Sequence, residues 1–416
     1  MKFYLETYGC TANKADESLI KGTIKSKNHE IVKDIDKADI LVILTCTVID
    51  TTEQRMLSRL KKLKKTGKKI VVAGCMASIQ KDIVKKILPK AVFLPPQYPH
   101  HIIDVIEKKD FSFKHKNKTD IPKVFENKTA PISISEGCMF RCSYCITCFA
   151  RGKLKSFPIK EIGKNIKSAV KKGCIEIQLT SQDTSSYGLD KNKNLGELLK
   201  NIKTIKGKYK IRVGMMNPYT CLLNLDSIIK GYNNTHIYKF LHLPVQSGDN
   251  KILEKMNRKY TVEEFLEIIK TFRKKYPEIT ISTDLIVAFP SETDKQFNKT
   301  VELIKKVKPD ITNITRYSAR PNTKAKKMKK RIKTEVAKER SKALTKICKK
   351  ISTEKNKECI GKKFDVLIIE KRENNIYFGR TNNYKPVLIK KEVEIGSTQK
   401  VEINDADYTH LVGSII

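Results

Sequence analysis

Through the first 110 residues, short β-branched runs alternate with amphipathic helical patterns. FYLETY (3–8), DILVILT (39–45) and KIVVAG (69–74) are each followed by a helix-period segment. That alternation predicts a parallel α/β sheet in a unit spanning residues 1–115. A polar connector over Lys114–Lys128 carries no apolar period and separates this unit from the next. From Pro131 to about Arg320 the alternation resumes. ISIS, IEIQLT, KIRVGM, YKFLHL, ISTDLIVAF and ITNITRYS are separated by lysine-rich amphipathic stretches. Six strands with intervening helices predict a partial β/α barrel, in a unit spanning 130–357. Its last part, 324–357, reads as one long covering helix with Met328, Ile332, Val336, Leu344, Ile347 and Ile351 on a single face. Residues 358–416 break into short strands and turns, the pattern of a small β-barrel. The overall class is α/β, and the chain shows no internal repeat.

Length and composition fit this three-part division. At 416 residues the chain exceeds one ordinary core. No run of eighteen apolar residues occurs, and MKFYLETYGC lacks the layout of a signal peptide, so a cytoplasmic protein with no membrane partner is expected. The net charge of +39 favours a polyanionic partner, with nucleic acid foremost. The charge is uneven. Residues 320–358 hold sixteen basic against four acidic residues, whereas 359–416 are nearly neutral.

Eleven cysteines in a reducing compartment point to metal or redox chemistry before disulfides. Cys138, Cys142 and Cys145 follow the strand ISIS in EGCMFRCSYC. Three thiolates on a short loop suit a four-iron cluster with one iron left open, although a structural zinc knuckle has similar spacing. Cys148 follows three residues later, within reach as a fourth thiolate or as a bystander. Cys10, Cys46 and Cys75 each lie just beyond a predicted strand. In a parallel sheet the carboxyl ends of the strands share one edge, so these three thiols are expected to converge there. The alternative is three small buried residues in tight turns. Cys174, Cys221, Cys348 and Cys359 read as ordinary.

These residues closely resemble the methylthiotransferases of the radical S-adenosylmethionine (SAM) superfamily. The resemblance runs through YGCTAN (8–13), TCTV (45–48), AGCM (73–76), GCMFRCSYCI, ARGK (150–153) and LTSQDTSSYG (179–188). It continues through HLPVQSGDNKILEKMNRKYT (242–261), DLIVAFPSET (284–293) and SARPNTKAKKM (318–328). GRTNNYKPV (379–387) resembles the TRAM domain, a small RNA-binding barrel. RVGMMNP (212–218) and the length look most like the archaeal and eukaryotic branch that acts on threonylcarbamoyladenosine at tRNA nucleotide 37. The departures are Ala288 and Ser291, where glycine is commoner, Asp249, where serine is usual, and Cys148, where a basic or apolar residue is commoner.

The resemblance implies two 4Fe-4S clusters and SAM. A cluster on Cys138, Cys142 and Cys145 would cleave SAM to a radical that activates the adenine ring, and one on Cys10, Cys46 and Cys75 would deliver the sulfur. Tyr144 matches the superfamily signature. Gln182, Asp183, Arg212 and Gln246 lie at or beside barrel strands and are candidates for holding SAM. His242 reads as core. In the tail, Arg380, Lys385, Tyr377, Phe378 and Tyr384 are candidates for RNA contact. Implied partners are the tRNA anticodon loop and a one-electron donor such as a ferredoxin or flavodoxin; the sulfur donor is unknown. Competing functions are methylthiolation of isopentenyladenosine in tRNA, of an aspartate in a ribosomal protein, or zinc-stabilised RNA binding without catalysis.

Overall fold

The computed structural model describes residues 1–48, 50–107, 111–126 and 128–416; Asn127 of the connector lies outside the described residues. In the first unit, β1 (Lys2–Thr7), β2 (Glu30–Val32), β3 (Ile40–Thr45), β4 (Lys69–Gly74) and β5 (Val92–Leu94) form a parallel sheet in the order β2-β1-β3-β4-β5. The central strand ILVILT is buried at every position, as a strand covered on both faces requires. Helices Thr11–Ser26 and Asp50–Lys64 follow β1 and β3 as the pattern predicts. The third expected helix is broken at Gln80 into Cys75–Ile79 and Lys81–Ile87. There the Gln80 amide donates to Glu53 and its carbonyl oxygen accepts from Thr47.

The central barrel contains all six expected strands. β6 (Thr129–Ser133), β9 (Glu176–Thr180) and β10 (Lys210–Val213) form one parallel set, and β11 (Phe240–His242), β12 (Thr280–Val287) and β13 (Ile311–Arg316) form another. A parallel bridge between Ile211 and Ile237 lies at the seam between the two sets. Two short strands the pattern did not reveal, β7 (Ser135–Glu136) and β8 (Lys155–Ser156), pair antiparallel and bracket the Cys138–Cys145 loop. Alternation sets the faces: Ile177, Leu179, Ile211, Val213 and Leu241 enter the core beneath the helices. Gln178, Arg212 and His242 therefore point into the barrel lumen.

The long helix is shorter than its pattern suggested. It spans Thr334–Lys357, with Met328 and Ile332 ahead of it. Leu344, Cys348 and Ile351 pack into the barrel core. The connector is also more than a solvated link, since Lys118 is buried against Asp16 and Glu136.

The tail forms a closed barrel of β14 (Lys363–Lys371), β15 (Tyr377–Thr381), β16 (Pro386–Ile389), β17 (Thr398–Ala406) and β18 (Leu411–Ile415). The turn after β15 docks it beneath the central barrel. Lys239 N donates to Asn382 O at 2.9 Å, Asn383 Nδ2 to Glu278 O at 2.9 Å, and Lys385 Nζ to Asp310 Oδ1 at 3.0 Å. Tyr384 packs between Tyr238 and Phe240, each ring centroid 4.8 Å away.

Three lysines close loops from within. Lys68 Nζ donates to the carbonyls of Ile35, Asp36 and Ala38; Lys123 Nζ to those of Lys118, Thr119 and Ile121; and Lys239 Nζ to those of Tyr232, Asn234 and Ile237.

Candidate functional site

Cys10, Cys46 and Cys75 follow β1, β3 and β4, three neighbours in the sheet, so their thiols gather at one edge. Gly9, at φ +102°, makes this approach possible. A Cβ there would sit 2.7 Å from the Cys46 Cβ. Asn13 Nδ2 donates to Tyr8 O at 2.7 Å and Thr45 O at 2.9 Å, fastening the first loop to the third strand. Burial pushes the Cys75 thiol up to about 11, with the charges of Cys46 and Cys10 adding to the rise. Burial raises Cys46 too, and Cys10 contributes.

The second trio sits on the loop between β7 and the helix Thr147–Arg151. Burial raises Cys138 to about 12, and the charges of Cys145 and Cys142 push the same way. The loop's path is fixed by backbone. Cys138 N donates to Gly152 O at 3.1 Å, Ser143 N to Met256 O at 2.9 Å, and Ala325 N to Ser143 O at 2.8 Å. At Gly137, φ +78°, a Cβ would lie 1.9 Å from Lys153 O, so only glycine fits. Arg258 Nη1 donates to Cys142 Sγ at 3.4 Å and its Nε to the Tyr260 hydroxyl at 3.0 Å. Burial disfavours these thiols as anions, and a guanidinium near each trio, Arg258 at Cys142 and Arg151 near Cys75, works the other way, toward the thiolates a cluster needs.

Among the described residues no three His, Cys, Asp or Glu side chains stand close enough to share a single ion. Cys148 lies beside Cys145, its thiol donating to Cys145 O at 3.3 Å and interacting with the Cys145 thiol.

The expected SAM-binding residues divide. Gln182 Oε1 accepts from Gly137 N at 2.7 Å, so it holds the cysteine loop itself. Asp183 is buried, and its carboxylate accepts from Ser185 N, Ser185 Oγ, Asn217 N and Thr220 Oγ1. With both oxygens occupied by the protein, Asp183 shapes the loops beyond β9 and β10. Tyr144 packs on Ile252, Met256 and Phe289. Gln246 adopts φ +70° at the mouth of the barrel, its backbone bridging to β12. Arg212 faces the lumen over the Phe240 ring at 5.7 Å. His242, read as core, is instead a lumen residue, with Nε2 2.9 Å from Asp284 Oδ1, which also accepts from Asn313. Burial pushes the Asp284 carboxyl up, but the His242 hydrogen bond and charge, with the Asn313 hydrogen bond and the Arg258 charge, together leave it below the ordinary value.

In the tail, Lys385 and Tyr384 are consumed by docking and Tyr377 by the small barrel's core. Phe378 stays between two guanidinium groups, Arg372 at 3.8 Å and Arg380 at 4.8 Å. It lines a cleft of about 360 Å³ shared with Lys14 and Lys21 of the first unit and Gln178 of the barrel.

Three family patterns match along the chain: the radical SAM superfamily at residues 132–304, the uncharacterized protein family UPF0004 at 2–94, and the TRAM domain at 357–416. A probable threonylcarbamoyladenosine tRNA methylthiotransferase of Archaeoglobus fulgidus is 41% identical over 100% of this chain and 99% of its own length. The chain belongs to the threonylcarbamoyladenosine tRNA methylthiotransferase family. The human member is 33% identical over 97% of this chain and 72% of its own. Membership in the radical SAM superfamily brings with it a 4Fe-4S cluster and SAM. Among solved structures, the radical SAM methyltransferase TsrM from Kitasatospora setae shares the fold, with a TM-score of 0.57 at 11% identity, covering 87% of this chain and 76% of that one. Among the described residues no helix is long and apolar enough to cross a membrane.

The residues that sequence reasoning missed are Arg258, Arg151, Glu136 and Asp16. Arg258 and Arg151 lie within the matched stretches KMNRKYT and ARGK, but nothing in their spacing announces a cysteine partner.

Proposed function

We propose that this protein converts threonylcarbamoyladenosine at nucleotide 37 of tRNA to its 2-methylthio derivative, in the cytoplasm. Full-length likeness to relatives named for that reaction carries the reading. The two converging thiol trios support it chemically. In this reading units 1–115, 130–357 and 358–416 are the sulfur-supplying, radical-generating and RNA-binding parts. Cys138, Cys142 and Cys145 hold one 4Fe-4S cluster, and Cys10, Cys46 and Cys75 hold a second.

When bound, the clusters and SAM supply a carbon-centred radical and a transferable sulfur, chemistry no side chain can perform. The chain's own residues arrange the site. Gln182 fixes the cysteine loop through Gly137, while Arg258 offsets the charge that develops on Cys142. Gln246, Arg212 and the His242–Asp284–Asn313 chain line the lumen where a nucleoside and SAM meet. A one-electron donor of the ferredoxin or flavodoxin type completes the cycle.

Mass spectrometry of tRNA nucleosides from cells with and without the gene tests this. Deletion is expected to abolish the methylthio form and accumulate threonylcarbamoyladenosine. An unchanged nucleoside profile would overturn the assignment.

A further inference from the structure

One buried side chain touches both cysteine trios' supports. Arg151 ends the helix that begins two residues after Cys145, and it is 4% exposed. Its Nη2 donates to Asn13 Oδ1 at 2.9 Å and Asp16 Oδ2 at 2.7 Å, both on the helix Thr11–Ser26 that directly follows Cys10. Its Nη1 donates to Glu136 Oε1 at 2.9 Å, two residues before Cys138. The guanidinium charge also acts on the Cys75 and Cys10 thiols. Lys118 closes the group by bridging Asp16 and Glu136, both at 2.5 Å. Every partner except Lys118 is therefore a cysteine of one trio or lies within six residues of one. The two cations and two carboxylates balance, so the group as a whole adds no net charge beside the cysteines.

We propose that Arg151 is a positioning residue that sets the spacing between the two cluster sites and keeps a positive charge beside Cys75 in the second. A planar fork with five donors can serve three directions at once, which a lysine ammonium at the same place cannot. Hydrogen bonds to cluster sulfurs and nearby positive charge make a cluster easier to reduce. The same side chain thus couples geometry to potential.

The inference rests on the two-cluster reading, and the test separates them. Protein carrying Cys138→Ala, Cys142→Ala and Cys145→Ala is reconstituted anaerobically with iron and sulfide, leaving the Cys10, Cys46 and Cys75 site alone. If that protein holds no cluster, the two-cluster reading falls. If it does, Arg151→Gln in this background is expected to move the midpoint potential, followed by electron paramagnetic resonance, to a more negative value, and Arg151→Lys to recover part of the shift. In the otherwise native chain, Arg151→Gln is expected to raise the ratio of deoxyadenosine released to methylthiolated nucleoside formed by about tenfold, because radical generation is then poorly matched to sulfur delivery. An unaltered potential and an unaltered ratio, with both clusters present, would overturn the proposal. Should Arg151→Gln fail to fold, Asn13→Ala, which removes one acceptor of the guanidinium, is expected to give the same changes at smaller size. Its failure to do so would be equally decisive.

Discussion

Replacing Asp310 should detach the small C-terminal barrel from the central one. The Asp310 side chain is 5% exposed and accepts from Lys355 Nζ at 2.7 Å, Lys385 Nζ at 3.0 Å and Ile281 N at 2.9 Å. In Asp310→Asn the shape is nearly kept, but two ammonium groups, one 92% and one 77% covered, lose their counter-ion. Stranding one partner of a buried ion pair costs about 3–5 kcal/mol. At about 1.4 kcal/mol per factor of ten, local opening at the junction should become some two to three and a half orders of magnitude more frequent. Hydrogen exchange reads this directly at the Lys239 amide, which donates to Asn382 across the junction. Lys385→Met is the informative partner, because it leaves the Asp310–Lys355 pair intact; it should cost only about 1.5–3 kcal/mol. An acceleration under tenfold in Asp310→Asn, or a larger effect from Lys385→Met, would refute this account of how the barrel is held.

Three other outcomes are expected. Gln182→Ala removes the acceptor of Gly137 N, a loss of about 1 kcal/mol locally; the melting temperature should scarcely move while SAM cleavage, measured as deoxyadenosine release, falls several-fold. Cys148→Ser should leave iron content and SAM binding of the reconstituted protein intact, since the Cys148 thiol donates to the Cys145 carbonyl and serine can make the same bond; loss of the cluster absorbance would make it a ligand. Burial works against the Asp310 carboxylate but Lys385 and Lys355 hold its value below the usual aspartate range. Its stabilisation is therefore complete above about pH 3.9 and lost as pH falls toward the folded value, so acid titration followed by hydrogen exchange should show the C-terminal barrel releasing in that window and not above it.

The strands, and the strand ends that carry Cys10, Cys46 and Cys75, are legible because both are local signals. ILVILT and ISTDLIVAF announce buried strands, and a cysteine directly after a parallel strand inherits a known edge of the sheet. What spacing conceals is partnership at a distance. Arg151 meets Asn13 across 138 residues and Arg258 meets Cys142 across 116. The covering helix was overextended because Met328 and Ile332 continue its period, although they precede its first turn at Thr334. Asp183 carries a second role that its position at a strand end does not announce, tying the loops beyond β9 and β10 together. The near-neutral tail is resolved by Lys385, whose ammonium is spent inside the protein, and by Tyr384, a wedge under the barrel. Ala288 and Ser291, which stand where glycine is commoner, do take left-handed backbone angles of 59° and 66°.

Lys68, Lys123 and Lys239 each sit where another protein would hold a sodium or potassium ion in a ring of peptide oxygens. A loop fastened in this way needs no salt from its surroundings and cannot be loosened by dialysis. The formal count of positive charge therefore overstates what a passing tRNA senses, because part of it is mortar between the bricks.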